Sequence, residues 1–559
     1  MSISNPNLPK SILALRSYSA QMFLHDLLAG LTVGLVALPL AMAFGIASGV
    51  TPQAGIYTAV VAGFLISALG GSRTQIGGPT GAFVVIVAGI VARFGMSGLA
   101  MVTVLAGLIL LLMGLTGLGA AVRFIPRMVV IGFTNGIAIL IASTQIKDFF
   151  GLRTGAVPSE FLPRIRLLVS HFVSLNPAAL GLGLGTLAII LLLPRFTKRV
   201  PPSIVALLVC TGVSVVFHLP VETIGSKFGG IPRGFPPFAW PAFHSDHILP
   251  LIPSAFTVAL LAALESMLSA VVADSMTGDR HNSNVELVAQ GVANLISPLF
   301  GGIPATGAIA RTATNIRSGA RSPVSGMIHA LTLLGILLVA APLASYIPLA
   351  TLAAVLFVVA YNMGEWHEIG GIFQLDFTAI SVWLATFALT VFADLTVAVG
   401  VGMSLAALLY IYRVADTTTV SAVTDEYIRD GLPHVLQGRI VPPYVSLLRI
   451  HGPFLFGTTE KLVEATVNIE AFEPVVIVRL RNMTAIDATG IHAIESFARR
   501  LHESGRTMLL CGAMLQPSKL LQGARFQDRV GRENIMPNIQ AALDRARQIH
   551  DQQPSVLAS

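Results

Sequence analysis

The sequence predicts an all-α polytopic membrane domain followed by a small α/β domain. Hydrophobic residues make up 54% of the 559 residues and charged residues only 11%, whereas charged residues are about 25% of a soluble domain. Apolar runs of spanning length recur from Asp26 to Tyr412, and they predict about fourteen transmembrane segments. After Arg413 the chain becomes polar and alternates between strand and helix patterns, which predicts the α/β domain.

These changes in composition divide the chain into four parts. We expect a cytoplasmic N-terminal segment at 1–25, a transmembrane domain at 26–413, a linker at 414–443 and the α/β domain at 444–559. The N-terminal segment is too polar for a signal peptide, so the first helix is expected to be its own insertion signal. Basic clusters in short connections explain the net charge of +7 by membrane orientation, and no nucleic-acid partner is expected.

Several kinds of chemistry lack the residues that they need. The two cysteines, Cys210 and Cys511, indicate neither a disulfide framework nor a cysteine-based metal site. The sequence has no G-x-x-x-x-G-K-[ST] loop, which argues against direct use of ATP. It also has neither His/Cys metal spacing nor a nucleophile motif, so we expect no cofactor, no metal and no enzymatic activity.

The transmembrane part contains a weak internal repeat. The motif GPTGA at 78–82 resembles IPATGA at 303–308, which aligns Pro79 with Pro304. Pro126 and Pro348 each open an apolar helix, and they are separated in the chain by nearly the same distance as the first pair of prolines. Two matches at nearly one offset predict a duplicated unit of about seven helices, whose second copy is inverted in the membrane because an odd number of spans reverses direction.

The first pair of motifs predicts two half-helices that meet at mid-membrane. Proline favours the first turn of a helix, so each motif is expected to be an extended stretch followed by a half-helix whose N-terminus attracts anions. Arg311 follows Pro304 by seven residues, about two turns into the second half-helix, and adds a permanent positive charge. The alternative is that Arg311 extends to the cytoplasmic surface with Arg317 and Arg321, which are farther along.

Glu265 is the only acidic residue that this reading places deep in a clear spanning segment near the predicted site. A charge at mid-membrane costs roughly 2.5–3.5 kcal/mol on insertion scales, so such residues are seldom without a role. We interpret Glu265 as a carboxylate beside the cavity that takes up a proton; the alternative is a structural pairing with a hydroxyl or with Arg311. Ser269, one turn later, is expected to hydrogen-bond to Glu265 or to a bound ion.

The sequence resembles the SulP family of sulfate permeases and related anion transporters. Residues 26–83, which include ALPLAMAFGIASG and GGPTGAF, are similar to the first three helices of that family, and residues 271–326, which include GGIPATGAIARTATNIRSGA, to the eighth to eleventh. The tail NMTAIDATGIHAIESFARRL resembles a STAS domain. The resemblance implies an inverted-repeat fold of core and gate domains, a homodimer, and a bacterial-type inner membrane with both termini cytoplasmic.

Carried over residue by residue, the resemblance implies an anion site between Thr80-Gly81 and Gly307-Ala308-Ile309, with Phe44 as a wall. Arg311 matches an arginine beside the substrate, and Glu265 matches an acidic residue tied to cation coupling. Sodium-coupled bicarbonate members typically have Asp at position 265 and a hydroxyl residue at 309, so Glu265 and Ile309 favour protons over sodium. Leu40 stands where some relatives have a polar Gln.

In the STAS-like tail, Thr489 occupies the place of a phosphorylatable Ser or Thr in soluble members of that fold. The alternative is a capped turn before the following helix, with Thr489 or Asp487 as the cap.

These observations predict a secondary active transporter of a small inorganic or carboxylate anion in the lipid bilayer. A sulfate-class oxyanion is favoured, coupled to protons through Glu265. The alternatives are sodium-coupled bicarbonate transport or proton-coupled C4-dicarboxylate transport on the same site, or a STAS-regulated membrane protein with weak transport. A nucleobase carrier on the same scaffold is disfavoured because such carriers place acidic residues on both helices, where this chain has Arg311.

Overall fold

The chain divides between Ser404 and Leu405 into two units, which are described separately. The structure is a computed structural model that describes residues 8–16, 18–119, 126–155, 157–158, 160–197, 201–231, 233–240, 248–393, 395–422 and 440–552.

Most residues of the first unit are in α-helices. Its helices are α1 (Lys10–Leu15), α2 (Ala20–Ala47), α3 (Pro52–Leu69), α4 (Gly81–Leu115), α5 (Arg127–Phe150), α6 (Phe161–Ser170), α7 (Pro177–Phe196), α8 (Pro202–Val216), α9 (Ile224–Phe228), α10 (Ile248–Thr277), α11 (Ser283–Ile296), α12 (Ile309–Arg317), α13 (Val324–Ala344), α14 (Leu349–Met363), α15 (Trp366–Ile372), α16 (Phe377–Phe392) and α17 (Leu395–Thr417). Helix α17 continues past Ser404 into the second unit. Within the described ranges, 8 helices are long and apolar enough to cross a membrane, and α8 and α16 are shorter apolar helices.

Two repeats are visible in how the helices pack. Gly95 has a φ of 67° inside α4, which divides that helix into two segments. With α4 counted as two, the first half supplies α2, α3, α4, α5, α7 and α8, and the second half supplies α10, α11, α12, α13, α14, α16 and α17. The packing is reciprocal: α2 packs on α13 as α10 packs on α4, and α3 packs on α13 as α11 packs on α4. The predicted seven segments per half are therefore confirmed in the part of the chain that is described.

The two repeats meet at a short antiparallel strand pair, β1 (Gly77–Gly78) and β2 (Thr306–Gly307). Gly77 lies opposite Gly307 in this pair. Helix α4 begins at Gly81 and α12 at Ile309, just after their strands. Because the strands are antiparallel, the two helices leave the crossing in opposite directions, as the halves of an inverted repeat do.

The sequence alignment of Pro79 with Pro304 is wrong by three residues. When the two helix starts are superposed, the counterpart of Thr80 is Ala308, and that of Pro79 is Gly307. Pro304 lies outside any helix, two residues before β2. The backbone of Ala305 is hydrogen-bonded to the side chain of Asn294 through both its N–H and its C=O, each at 2.8 Å. A helix therefore does not begin at Pro304.

The second pair of prolines in the predicted repeat has the expected role. Pro126 immediately precedes α5, and Pro348 immediately precedes α14. Both prolines have extended backbone, with ψ of 135° and 138°. The prediction that each opens an apolar helix is confirmed.

The second unit is a mixed sheet covered by helices. Its strands, in sheet order, are β3 (Thr419–Ala422), β4 (Val445–Phe454), β5 (Val475–Ile486), β6 (Thr507–Cys511) and β7 (Ile535–Met536). Strands β3 and β4 pair antiparallel and the others pair in parallel. Its helices are α18 (Glu460–Ala465), α19 (Ala488–Glu503), α20 (Leu515–Gly523), α21 (Gln527–Val530) and α22 (Ile539–Gln552).

The central strand β5 explains why VVIVRL reads as a continuous apolar run. Val476 and Val478 pack in one buried cluster with Phe497 of α19. Val475 and Ile477 pack in another with Ala542 of α22. A strand covered on both faces needs apolar side chains at every position, so the predicted α/β domain is confirmed. Of the predicted linker 414–443, residues 423–439 lie outside the described ranges.

Candidate functional site

A cavity of about 340 Å³ lies where α4 and α12 begin. Its wall includes seven of the predicted site residues, namely Phe44, Thr80, Gly81, Glu265, Ala308, Ile309 and Arg311, and also Leu40. Gly307, the residue before Ala308, is buried and does not line the cavity. The structure therefore brings most of the predicted residues of both repeats to one space.

Both half-helices begin without a side-chain cap. Thr80 precedes α4 and makes no capping hydrogen bond, and its hydroxyl donates to Glu265 Oε2 at 2.7 Å. Ala308 precedes α12 and has no polar side chain. The first N–H groups of an α-helix have no partner within the helix. Two uncapped N-termini beside one cavity are a favourable arrangement for an anion.

Arg311 is the third residue of α12, so its predicted place two turns into the helix is wrong. The helix begins at Ile309 rather than near Pro304, which puts Arg311 in the first turn. Its side chain is 2% exposed, and Nη2 donates to the carbonyl oxygen of Pro79. Nη1 is buried and has no hydrogen-bond partner among the described residues. Arg311 thus joins the two half-helix starts and retains an unused donor.

Glu265 is half-buried in the wall of the cavity near the middle of α10. The hydroxyl of Thr80 is the hydrogen-bond donor that contacts it in the described part of the chain. The predicted hydrogen bond from Ser269 to Glu265 is absent. The Ser269 hydroxyl lies 2.9 Å from the hydroxyl of Thr312, because it faces α12 rather than the cavity.

The remaining wall comes from helices that sequence reasoning did not connect to the site. Helices α5, α14 and α17 contribute mostly apolar residues, among them Phe133, Met363 and Met403, and the wall also holds polar Thr134, Asn362 and Glu365. The acidic Glu365 directly after an apolar segment was a signal that the sequence did offer. The apolar residues have no such signal, because in sequence they match any lipid-facing or core position.

A second acidic residue also went unnoticed. Glu286 of α11 is fully buried, but it lies outside the spanning-length helices of the described residues and does not line the cavity. The segment 283–296 is short and amphipathic in sequence, so its burial is not predicted from the sequence.

The second unit contains the predicted Thr489, exposed at the second position of α19. The helix is capped by Asp487, whose Oδ1 accepts from the N–H of Gly490 at 2.8 Å. Thr489 therefore does not serve as the cap. No group of three or more His, Cys, Asp or Glu side chains suited to a metal occurs among the described residues of either unit.

Comparisons with known proteins agree with this architecture. The family model of the sulfate permease family matches residues 23–386, and that of the STAS domain matches residues 439–542. YvdB of Bacillus subtilis (strain 168), whose name as a sulfate transporter is provisional, is 42% identical over 522 residues, which cover 93% of this chain and 97% of YvdB. The bicarbonate transporter BicA of Picosynechococcus sp. is 32% identical over 546 residues, covering 93% of this chain and 94% of BicA.

Among solved structures, SLC26A9 superposes with a TM-score of 0.84 and covers 99% of this chain and 94% of its own. Its sequence identity to this chain is 18%, so this likeness shows the fold alone. The predicted fold class, a helical membrane domain with a C-terminal α/β STAS domain, is confirmed.

Proposed function

The chain belongs to the sulfate permease family of membrane anion transporters, and we propose that it is a secondary active transporter of a sulfate-class oxyanion coupled to protons. The observation that carries the proposal is the junction of two uncapped helix N-termini and the unused Nη1 donor of Arg311 beside one cavity. An anion that leaves water loses its hydration shell, and fixed N–H donors replace it without reorganisation.

The role proposed for Glu265 follows from its place in the same wall. An ionised carboxylate beside the cavity repels an incoming anion. It also accepts the hydroxyl proton of Thr80. When Glu265 takes up a proton, the repulsion disappears and its own O–H can donate to Thr80 Oγ1. The hydroxyl proton of Thr80 is then free to turn toward the anion, so proton loading both removes a repulsive charge and supplies a donor.

Sodium is the less favoured coupling ion. Sodium, like other hard cations, prefers a shell of several oxygen ligands. Beside Glu265 and Thr80, the facing start of α12 presents the aliphatic side chains of Ala308 and Ile309, and the Ile309 side chain is 40% exposed. These side chains supply no oxygen, whereas a proton needs only the carboxylate.

Sodium-coupled bicarbonate transport is the second candidate. Bicarbonate as the substrate is supported by the 32% identity to the bicarbonate transporter BicA over nearly the whole of both chains. Bicarbonate is smaller and singly charged, and the same amide donors suit it.

We further propose that the protein is a homodimer in a bacterial-type inner membrane, with both termini in the cytoplasm. The family membership supports these assignments. Their test is the oligomeric state of the purified protein and the labelling of single cysteines introduced at 8 or 552 from either side of sealed vesicles.

The experiment that tests the transport proposal is uptake into proteoliposomes. Labelled sulfate, bicarbonate and succinate are offered separately, with and without an inward proton gradient. Saturable sulfate uptake that the gradient stimulates supports the proposal. Uptake restricted to bicarbonate and dependent on sodium supports the second candidate. Absence of saturable uptake of all three contradicts both.

A further inference from the structure

Helix α11 carries a line of polar side chains in the interior of the first unit. Glu286, Gln290 and Asn294 are spaced four residues apart, so they share one face of the helix. All three are fully buried. They do not line the cavity. Buried polar side chains are costly unless they are hydrogen-bonded, so their partners indicate what this polar face of α11 does.

Asn294 hydrogen-bonds to the backbone just before β2, the strand of the second repeat. Its amide nitrogen donates to the carbonyl oxygen of Ala305, and its amide oxygen accepts from the N–H of the same residue, both at 2.8 Å. The side chain thereby takes the place of a neighbouring β-strand. Ala305 directly precedes β2, so this pair of bonds fixes the approach to the start of α12.

Glu286 holds the approach to the strand of the first repeat. Its Oε2 accepts from the backbone N–H groups of Gly71 and Ser72 at 2.9 and 3.2 Å. Its Oε1 accepts from Ser266 Oγ at 3.2 Å and from Gln290 Nε2 at 3.0 Å. All four partners are donors, so the carboxylate acts purely as an acceptor. Glu265, by contrast, lies at the cavity wall and accepts one hydrogen bond from the described residues, that of the Thr80 hydroxyl.

Gln290 connects the two ends of the polar face to the crossing itself. Its Nε2 donates to Ser266 Oγ at 2.9 Å, and Gln75 Nε2 donates to the same oxygen at 3.0 Å. Gln75 lies tightly under β2, since a Cβ added to Gly307 would come within 1.7 Å of Gln75 Nε2. The hydrogen bonds thus run from α11 to the residues that precede both strands.

We propose that the polar face of α11 is a positioning device that sets the separation of the two half-helix N-termini, and with it the anion's affinity and the size of anion accepted. The inference rests on the proposed function, because it assumes that the anion binds between those N-termini. The affinity for an anion that is bound by two sets of backbone amides changes when their separation shifts by well under 1 Å. Glu286, Gln290 and Asn294 are positioning residues, since they act through the crossing and not on the anion.

The test compares Asn294→Ala with the matched control Asn284→Ala. Asn284 is on the same helix, and its Oδ1 accepts from the N–H of Gly119 at 3.0 Å, away from the crossing. Apparent KM and maximal rate for labelled sulfate are measured in proteoliposomes with equal amounts of inserted protein. We expect Asn294→Ala to raise KM about tenfold, as expected for the loss of buried hydrogen bonds at one strand. Asn284→Ala should leave KM within about twofold of wild type.

A second readout is competition by selenate and by the larger thiosulfate. Loosened spacing should reduce the preference for sulfate over thiosulfate in Asn294→Ala. A lower maximal rate with unchanged KM and unchanged competition would mean that the polar face only stabilises the fold, and the inference would be wrong.

If Asn294→Ala does not insert into the membrane, Gln290→Met tests the proposal instead. Methionine keeps the length of the side chain and removes the donors to Ser266 and Glu286. It should shift KM and competition in the same direction, and unchanged values would overturn the inference. An error in the proposed function would be distinguishable from an error in this inference, because the wild-type protein would then show no saturable sulfate uptake.

Discussion

The hydroxyl of Thr80, the residue that precedes α4, donates a 2.7 Å hydrogen bond to Glu265 Oε2 on α10. This contact links the start of a half-helix to the carboxylate in the same cavity wall. In most helices such a hydroxyl would cap the first turn. Here it is held by an acid, so the protonation state of Glu265 can decide whether the hydroxyl is available to an anion.

Replacing the guanidinium of Arg311 should abolish saturable anion uptake. Arg311→Gln removes the permanent charge and the buried Nη1 donor at the start of α12. Its matched control is Arg317→Gln, because Arg317 is on the same helix but exposed. Initial uptake of labelled sulfate should fall at least about 100-fold in the first variant, as for a lost charged contact of several kcal/mol, and change little in the second. Wild-type uptake by Arg311→Gln would remove Arg311 from the site.

A bulky residue at Gly81 should obstruct the cavity. A Cβ at Gly81 would lie 2.5 Å from Met363 Sδ and 3.4 Å from Phe44 Cε1, so a leucine side chain must enter the cavity or displace its wall. At Gly89 on the same helix, apart from its chain neighbours and the adjacent helix backbone, the described residues place no atom within 4 Å of such a Cβ. Gly81→Leu should raise KM about tenfold or more or eliminate uptake, while Gly89→Leu should retain it. Equal kinetics of both variants would contradict the assignment of Gly81 to the site.

Removal of the STAS domain should change the amount and rate of transport without changing its selectivity. All the predicted anion contacts belong to the first unit. A chain ending at Thr417 retains α17. We expect lower expression or a lower maximal rate, with sulfate, selenate and bicarbonate competing in the wild-type order. A reordered competition series would show that the second unit contributes to anion choice.

The thiol of Cys511 should resist alkylation until the STAS domain unfolds. Burial in β6 raises the pKa of Cys511 from its usual value of 9.0 to about 11, against a smaller opposing effect of Arg479. The folded domain therefore keeps the proton while the unfolded chain loses it. This contribution to the free energy of unfolding is fully present below about pH 9 and is lost as the pH rises toward 11.

The measurement is the midpoint of urea unfolding of the STAS domain in the full-length protein at several pH values from 7 to 10.5, with mass-spectrometric detection of iodoacetamide adducts. Cys511→Ala should show a flatter decline of stability above pH 9 than wild type. Rapid alkylation of the native protein at pH 8 would contradict the burial argument.

Neutralising Glu265 should remove the pH response of uptake. Glu265→Gln keeps the size of the side chain but cannot exchange a proton, so anion exchange should persist at a reduced rate that does not vary with pH. Glu222→Gln is the control, because its side chain is 66% exposed outside the bundle. Uptake by Glu265→Gln that still rises as external pH falls would transfer the coupling role to another group.

The features that could be predicted from the sequence are those that depend on a few consecutive residues. Pro126 and Pro348 directly precede their helices, so a pattern of a few residues was sufficient there. Pro304 does not begin a helix, because Asn294 on the preceding helix hydrogen-bonds to the backbone N–H and C=O of Ala305. A contact between side chain and distant backbone leaves no periodic pattern.

The burial of charged groups was only partly readable for a similar reason. Glu265 stands out because its whole segment is apolar, which makes a single charge conspicuous. Glu286 is more deeply buried, yet it lies among Asn284, Gln290 and Asn294, which make its segment look like a surface helix. The polar residues near Glu286 in the sequence, one of which is its hydrogen-bond partner, make the segment look solvent-exposed, so the burial of Glu286 cannot be predicted from the sequence.

We propose that a proton taken up by Glu265 drives anion uptake. The decisive measurement is the initial rate of labelled sulfate uptake into proteoliposomes at a clamped membrane potential, across external pH 5.5 to 8.5 in matched sodium and potassium buffers. We expect uptake to rise as external pH falls and to be the same in both buffers. A requirement for sodium with no dependence on pH would contradict it.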